Sequence, residues 1–319
     1  MPSLNKTEIT QKIKTKALDL GFDKVGIAQV KELDCAEHFA EWLSRGYQGE
    51  MAYIEQNGEK RLDPGKVFEN AKSVISLAMN YYTPFPQTEN PFEGVISRYA
   101  WGDDHHELLR PRLKALLAFI NDLAPESYGR VFVDTAPIMD KQWAVQAGIG
   151  WQGKHSNVIS REFGSWVFLG EVAVDIELDY DQPIPDYCGT CTRCIEACPT
   201  QAITEPYVVD ARHCISYLTI ELKEDRRIPD DLQERMGNRI FGCDICQDVC
   251  PWNIKFAKPT TEAAFLPRSE NLKPSLAKLA ELTEEQFRTT YKHSPLKRPK
   301  YRGFLRSILI ALKNSVGAS

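Results

Sequence analysis

The stretch Cys188-Gly-Thr-Cys191-Thr-Arg-Cys194-Ile-Glu-Ala-Cys198-Pro199 decides how this chain is read. Three cysteines three apart, a fourth after a longer step and a proline behind it make the bacterial-ferredoxin spacing. In that spacing three neighbouring thiolates hold one [4Fe-4S] cube and the fourth reaches a second cube. A partner run follows, Cys243-Asp-Ile-Cys246-Gln-Asp-Val-Cys250-Pro251, with Cys214 upstream in place of its missing first cysteine. The expected wiring is Cys188, Cys191, Cys194 and Cys250 on one cluster, and Cys198, Cys214, Cys243 and Cys246 on the other. Such a module moves electrons.

Four thiolates also suit zinc, so a pair of structural zinc sites is the competing reading. Zinc ribbons separate their two CxxC pairs by a longer stretch, and no third cysteine follows so soon. Disulfides fit poorly. The N-terminus does not resemble a signal peptide, and crowded cysteines without one point to metal in a reducing, cytoplasmic compartment. The ninth cysteine, Cys35, reads as a plain structural thiol.

A chain of 319 residues with 43% hydrophobic and 26% charged residues is an ordinary globular composition for two or three domains. It has no apolar run of membrane-spanning length, so no membrane association is expected. The net charge of −5 argues against wholesale coating of nucleic acid. Charge is nevertheless uneven: Gln286 to Ser319 holds eight Lys or Arg and no acid. That end could bind phosphates or could complement acids elsewhere on the same molecule.

The fold class expected is α+β. Apolar spacing predicts a helix over Thr7–Leu20 stopped by Gly21, a strand over Lys24–Gln29, a helix over Ala36–Leu43 and a buried strand over Ser73–Met79. A helix over Leu108–Leu123 tolerates Pro111 in its first turn. Then come a strand over Arg130–Asp134, a short helix over Lys141–Ala147, and one or two strands over Ser165–Ile176 with a bend near Gly170. Asp181-Gln-Pro-Ile-Pro-Asp marks a boundary. The domains expected are 1–181, a cluster domain 182–258 with a helix near Arg212–Thr219, and a helical segment 259–319. In that segment Thr283-Glu-Glu-Gln286 is a capping box, and the final helix over Gly303–Leu312 puts Phe304, Leu305, Ile308, Leu309 and Leu312 on its apolar side.

Two stretches outside the cysteine runs look like site. Val133-Asp-Thr-Ala-Pro137 puts a carboxylate at the C-terminal end of a predicted strand, where open α/β sheets place ligands. The bland alternative for Asp134 is a helix cap or turn. Gly148-Ile-Gly-Trp-Gln-Gly-Lys-His-Ser-Asn157 offers glycines for close backbone approach and polar groups at Lys154, His155, Ser156 and Asn157. A simple hydrogen-bonding role serves His155 equally well. No dinucleotide fingerprint, P-loop or D-x-H-x-x-G cobalamin motif occurs.

The 133–157 stretch followed by the double cysteine pattern resembles the epoxyqueuosine reductase family, cobalamin-dependent iron–sulfur enzymes of tRNA modification. The similarity extends to Arg61-Leu-Asp-Pro64, Ser97-Arg-Tyr-Ala100, Asp210-Ala-Arg-His-Cys-Ile-Ser-Tyr-Leu-Thr-Ile-Glu221 and Ser294-Pro-Leu-Lys-Arg-Pro-Lys-Tyr-Arg-Gly303. The resemblance implies a nitroreductase-like α/β domain holding cobalamin base-off, a ferredoxin-like domain with two [4Fe-4S] clusters, and the beginning of a HEAT-like helical segment. It places the catalytic acid on Asp134. Cofactor contacts fall on Arg61, Ser97, Arg98, Tyr99, Asp134, Gly153, Lys154, His155, Ser156, Asn157 and Ser216.

The implied reaction converts epoxyqueuosine to queuosine at the wobble base of a tRNA anticodon, with electrons from an external low-potential donor. Asp134 would protonate the departing oxygen, which calls for a dry pocket or a nearby negative charge. The base must be splayed out of the anticodon loop to reach a buried centre. Arg298 and Lys300 are the expected tRNA contacts, by position. Two rivals are a reductive dehalogenase acting on a small organohalide and an electron-transfer subunit that carries the clusters alone, its α/β domain serving only as a docking surface.

Overall fold

The structure, a computed structural model, describes residues 5–134 and 136–317. Thr135, inside the Asp134 stretch, lies outside the described residues. Helix α1 (Lys6–Asp19) opens with a reciprocal capping box between Asn5 and Glu8. Its buried face, Ile13 and Ala17, lies against a four-stranded sheet.

The sheet contains β1 (Lys24–Gln29), β2 (Ser73–Asn80), β3 (Gly129–Phe132) and β4 (Val167–Val174), in the order β1-β2-β4-β3. Every pairing in it is antiparallel. All eight residues of β2 are buried, which is why the strand is mostly apolar on both faces, with Ser76 the polar residue inside it. Alternation sorts its side chains: Ile75, Leu77 and Met79 face α1 and helix α2 (His105–Leu123). Val74 and Ala78 face the opposite side, where helix α3 (Asp140–Gln146) packs Trp143 and Ala144.

Three local expectations change. Helix α2 begins three residues before Leu108, because Asp104 accepts the His106 N–H at its N-terminus. Pro111 therefore lies inside the helix rather than in its first turn. Strand β4 runs straight through Gly170 as one element. Strand β3 ends at Phe132, so Asp134 follows it in a loop with φ 51. The sheet is antiparallel, so the rule for carboxyl ends of open parallel sheets does not account for that position.

The cysteine-rich part is built from short helices: Arg193–Glu196, α4 (Ile215–Ile220), Ile245–Asp248 and Pro251–Phe256. Cys214, with ψ 125, separates α4 from a 3-10 turn at Ala211–His213 where one helix was expected. Val95–Ile96 pairs in parallel with Arg239–Phe241. Around that pair Ile96, Trp101, Ile240 and Phe241 share a core with Leu276, Phe287, Tyr291, Phe304 and Ile308. The last of these lie on α5 (Lys300–Gly317), which extends beyond the expected span in both directions. Leu309, expected on its apolar side, is 53% exposed, while Ile310 is buried. The capping box at Thr283 is present as expected. Among the described residues no helix is long and apolar enough to cross a membrane.

Candidate functional site

The eight paired cysteines are all free thiols and converge on two cavities. Cys188, Cys191, Cys194 and Cys250 line one of about 160 Å³. Cys198, Cys214, Cys243 and Cys246 line another of about 400 Å³. This is the crossed grouping that the spacing implies, with Cys250 joining the first run and Cys198 the second. Metal suits these pockets. Burial, then the neighbouring Cys188, Cys250 and Cys191, pushes the Cys194 thiol up to about 11, and burial pushes Cys243 up to about 12. Thiolates that are costly without a cation are what a buried metal cluster neutralises. Cys35 stands apart, with its thiol on the Met139 sulfur at 3.7 Å.

His155 lines both cavities. Its Nδ1 accepts the Asn157 N–H at 3.2 Å, and its buried Nε2 has no partner among the described residues. Burial lowers the imidazole to about 4, so the ring stays neutral and carries its proton on Nε2. Lys154 turns the other way: its ammonium donates to Gly189 O at 2.7 Å and Cys191 O at 3.0 Å, beside the smaller cavity. Gly153 lies behind the wall, where an added Cβ would come within 2.5 Å of Ile159 Cδ1. Packing of its own loop accounts for that glycine.

The larger cavity extends beyond its cysteines to Tyr81, Ser97, Tyr99, Lys141, Asn157 and Ser216. Ser97 donates to buried Asp244 at 2.5 Å, which ties this wall to the loop carrying Cys243 and Cys246. Arg98 points away, into ion pairs with Asp244 and Asp248 and over the Trp101 and Trp166 rings. Lys141, ringed by protein but open into the cavity, donates to Asn157 Oδ1 at 2.9 Å. Burial holds its ammonium below the usual lysine range.

Tyr99 also forms a wall of a second cleft of about 830 Å³, with Asp104, His106, Asp134, Glu221, Lys297 and Arg298. Here three side chains stand in line. Asp104 Oδ1 lies 2.8 Å from His106 Nδ1, and His106 Nε2 lies 3.7 Å from Asp134 Oδ2. Burial raises the Asp104 carboxyl, but hydrogen bonds from His106 and Lys297 outweigh it and hold the group well below the usual range. Burial, then the Asp134 charge, keeps the Tyr99 phenol protonated. Asp134 itself is 59% exposed at its side chain, not enclosed in the dry pocket expected of it. A third cavity of about 350 Å³ joins Arg61, Tyr53, Asp140 and Arg298 around the same Asp134.

The basic end is partly used up within the molecule. Arg298 pairs with Glu221 at 2.6 Å, Lys300 with Glu224 at 3.2 Å and Lys297 with Asp104 at 3.1 Å. Arg306 donates to four backbone carbonyls. Arg298 reaches the Asp134 cleft; Lys300 does not line it. The adjacent pair His105-His106 after Asp104 escaped the sequence reading, although two imidazoles opening a helix behind an acid are a legible signal.

Two family models match. One, described as a 4Fe-4S double cluster binding domain, covers residues 187–253, and one described as epoxyqueuosine reductase QueG covers residues 61–135. A curated epoxyqueuosine reductase of Cyclobacterium marinum is 48% identical over 94% of this chain and 95% of its own. This chain belongs to the epoxyqueuosine reductase family. Solved epoxyqueuosine reductases share its fold. One, crystallised with an epoxyqueuosine-modified tRNA stem loop, is 30% identical with a TM-score of 0.90 over 98% of this chain and 82% of that one. Another, from Bacillus subtilis, is described with its aspartate catalytic loop swung out of the active site. It is 28% identical with a TM-score of 0.87 over the same shares.

Proposed function

We propose that this chain, an oxidoreductase, reduces epoxyqueuosine to queuosine in tRNA, with Asp134 as the acid that protonates the departing epoxide oxygen. One observation carries the assignment of the site: the Asp134 cleft and the cysteine-lined cavity share Tyr99 as a wall. A redox centre and a proton donor thus address one place from two sides. The cysteines would hold two [4Fe-4S] clusters, and Tyr81, Lys141, His155, Ser156, Asn157 and Ser216 would line the seat of a base-off cobalamin. When bound, that cofactor supplies the low-valent cobalt that takes electrons from the clusters and reduces the epoxide carbon. The unpaired Nε2–H of His155 fits such a neighbour, since a buried donor without an acceptor is costly.

The chain's own part is orientation and protons. Asp104, ionised and fixed by Lys297, holds the His106 ring with Nδ1 toward itself and Nε2 toward Asp134. With Nδ1–H held by Asp104, the His106 Nε2 is a lone pair that can take up a proton from solvent and pass it to Asp134 between turnovers, leaving the ring neutral again. The open cleft admits a splayed nucleotide, and the substrate itself then displaces water from Asp134. The relative with its aspartate loop swung out supports a loop that moves in this way. Arg298, at the end of the Pro295–Lys297 turn, stands at the cleft to meet a backbone phosphate, and Lys300 opens α5 two residues on. The domains proposed are a nitroreductase-like 1–181, a ferredoxin-like 182–258 and a HEAT-like beginning over 259–319.

Replacing Asp134 with Asn removes the proton and leaves the shape. Turnover should fall by about 100-fold or more while cobalt and cluster spectra and tRNA binding persist. Wild-type turnover in that variant would refute the role of Asp134.

A further inference from the structure

Glu171 is a fully buried carboxyl in the central part of the sheet, and nothing in the reaction described so far uses it. It sits on β4 directly opposite Ser76 of β2 and Phe132 of β3, on the face that α3 covers. Asp140, the first residue of α3, comes down on it so that the two carboxyls face each other. Asp140 Oδ1 and both Glu171 oxygens are buried without a hydrogen-bond donor among the described residues. The Ser76 hydroxyl is otherwise unpartnered and faces Glu171.

Two carboxylates cannot both be charged there: they would repel each other and lack solvation. One proton between them turns two acceptors into an acid–carboxylate hydrogen bond. The charged groups facing the pair are Arg61 and Lys141, which favour ionisation, and Asp134, which opposes it. Burial outweighs the two cations, raising Asp140 to about 7 and Glu171 well above the usual range. Asp140 also opens into the cavity of about 350 Å³ that it shares with Asp134 and Arg61.

The geometry points to the Asp140–Glu171 pair as a proton store for the active site, discharging through that cavity to the reaction at Asp134. This rests on the reading of Asp134 as the acid. Removing the epoxide oxygen as water breaks two C–O bonds, forms one C=C bond and consumes two electrons and two protons. The electrons come from the external low-potential donor by way of the clusters. Asp134 gives one proton to the departing oxygen, and the pair provides the second and is refilled from solvent. Asp140 and Glu171 are positioning residues that act through Asp134 and touch no substrate.

The test is isotope-edited infrared spectroscopy of the holoenzyme, with side-chain carboxyls labelled, over a pH series. Single-turnover rates of Asp140→Asn and Glu171→Gln are measured beside it. A carboxylic-acid band should persist at pH 7 in the wild type, fade as pH rises, and be missing from Glu171→Gln. Asp140→Asn should slow turnover about 10-fold and displace the alkaline limb of the rate profile, with tRNA affinity unchanged. Absence of the acid band at pH 7 overturns the proposal. So does a slowed variant whose pH profile matches the wild type, since that marks packing alone. Should Glu171→Gln fail to fold, the wild-type band compared with Asp140→Asn decides. A failure of the Asp134 assignment itself would leave the infrared band in place, so the two outcomes are distinguishable.

Discussion

Replacing Cys250 with Ala tests the crossed wiring, because Cys250 is adjacent in sequence to one set of thiols and in space belongs to the other. It lines the cavity of Cys188, Cys191 and Cys194, not that of Cys243 and Cys246. Two cubes contribute about eight irons per chain, so each single loss should leave about four. Cys188→Ala, Cys250→Ala and the double variant should therefore all retain about four, since they damage the same cluster. Cys243→Ala combined with Cys250→Ala should retain almost none. An emptied cavity of about 160 Å³ costs about 4 kcal/mol at about 24 cal/mol per Å³ if it stays dry. Thiols and the Lys154 ammonium admit water, so the loss should be smaller, about 2–3 kcal/mol. Iron and sulfide analysis with EPR on anaerobically purified protein gives the first number, and denaturant titration gives the second. Four irons remaining in the Cys243/Cys250 double variant would refute the crossed arrangement.

Other outcomes follow from the same geometry. His106→Gln should slow turnover about 10- to 100-fold without changing tRNA affinity, because it interrupts the path from Asp104 to Asp134; a KM effect alone would remove His106 from that path. Arg298→Met should reduce the slope of log affinity against log salt by about 0.7 to 0.9, the value of one phosphate contact, as read by tRNA binding at several ionic strengths. Gly26→Ala should destabilise by about 2–3 kcal/mol in denaturant titration. A Cβ there would lie 1.9 Å from the Ala147 carbonyl oxygen, at the end of the helix that carries Asp140 and Lys141.

The cysteine grouping could be read from spacing alone because three thiols within one short turn have few ways to share a metal, and the fourth must come from elsewhere. Strands β1 and β2 and helix α1 were legible for a similar reason: their signals are local, Ile13 and Ala17 one turn apart in α1 and short, mostly apolar runs in the strands. The 133–157 stretch was singled out by an argument that the sheet does not support. Asp134 lies at the cleft, but the sheet beneath it is antiparallel. Lys154 and Arg98 read as cofactor contacts by neighbourhood, yet one turns to the Cys191 loop and the other to Asp244 and Asp248.

Covalent spacing along the chain thus determined by itself which thiols group, the main strands and helices of the first 180 residues, and which family pattern the chain carries. Tertiary packing decided the strand order, the alignment of Asp104, His106 and Asp134, and the burial of Asp140 against Glu171. The physical reason is range. Ligand spacing and apolar periodicity act over a few residues, whereas a side chain's direction and the dielectric around it are set by elements that arrive from far along the chain. Glu171 shows this best: in sequence it is one acid in a strand, and only the helix laid across the sheet makes it a buried partner for another carboxyl.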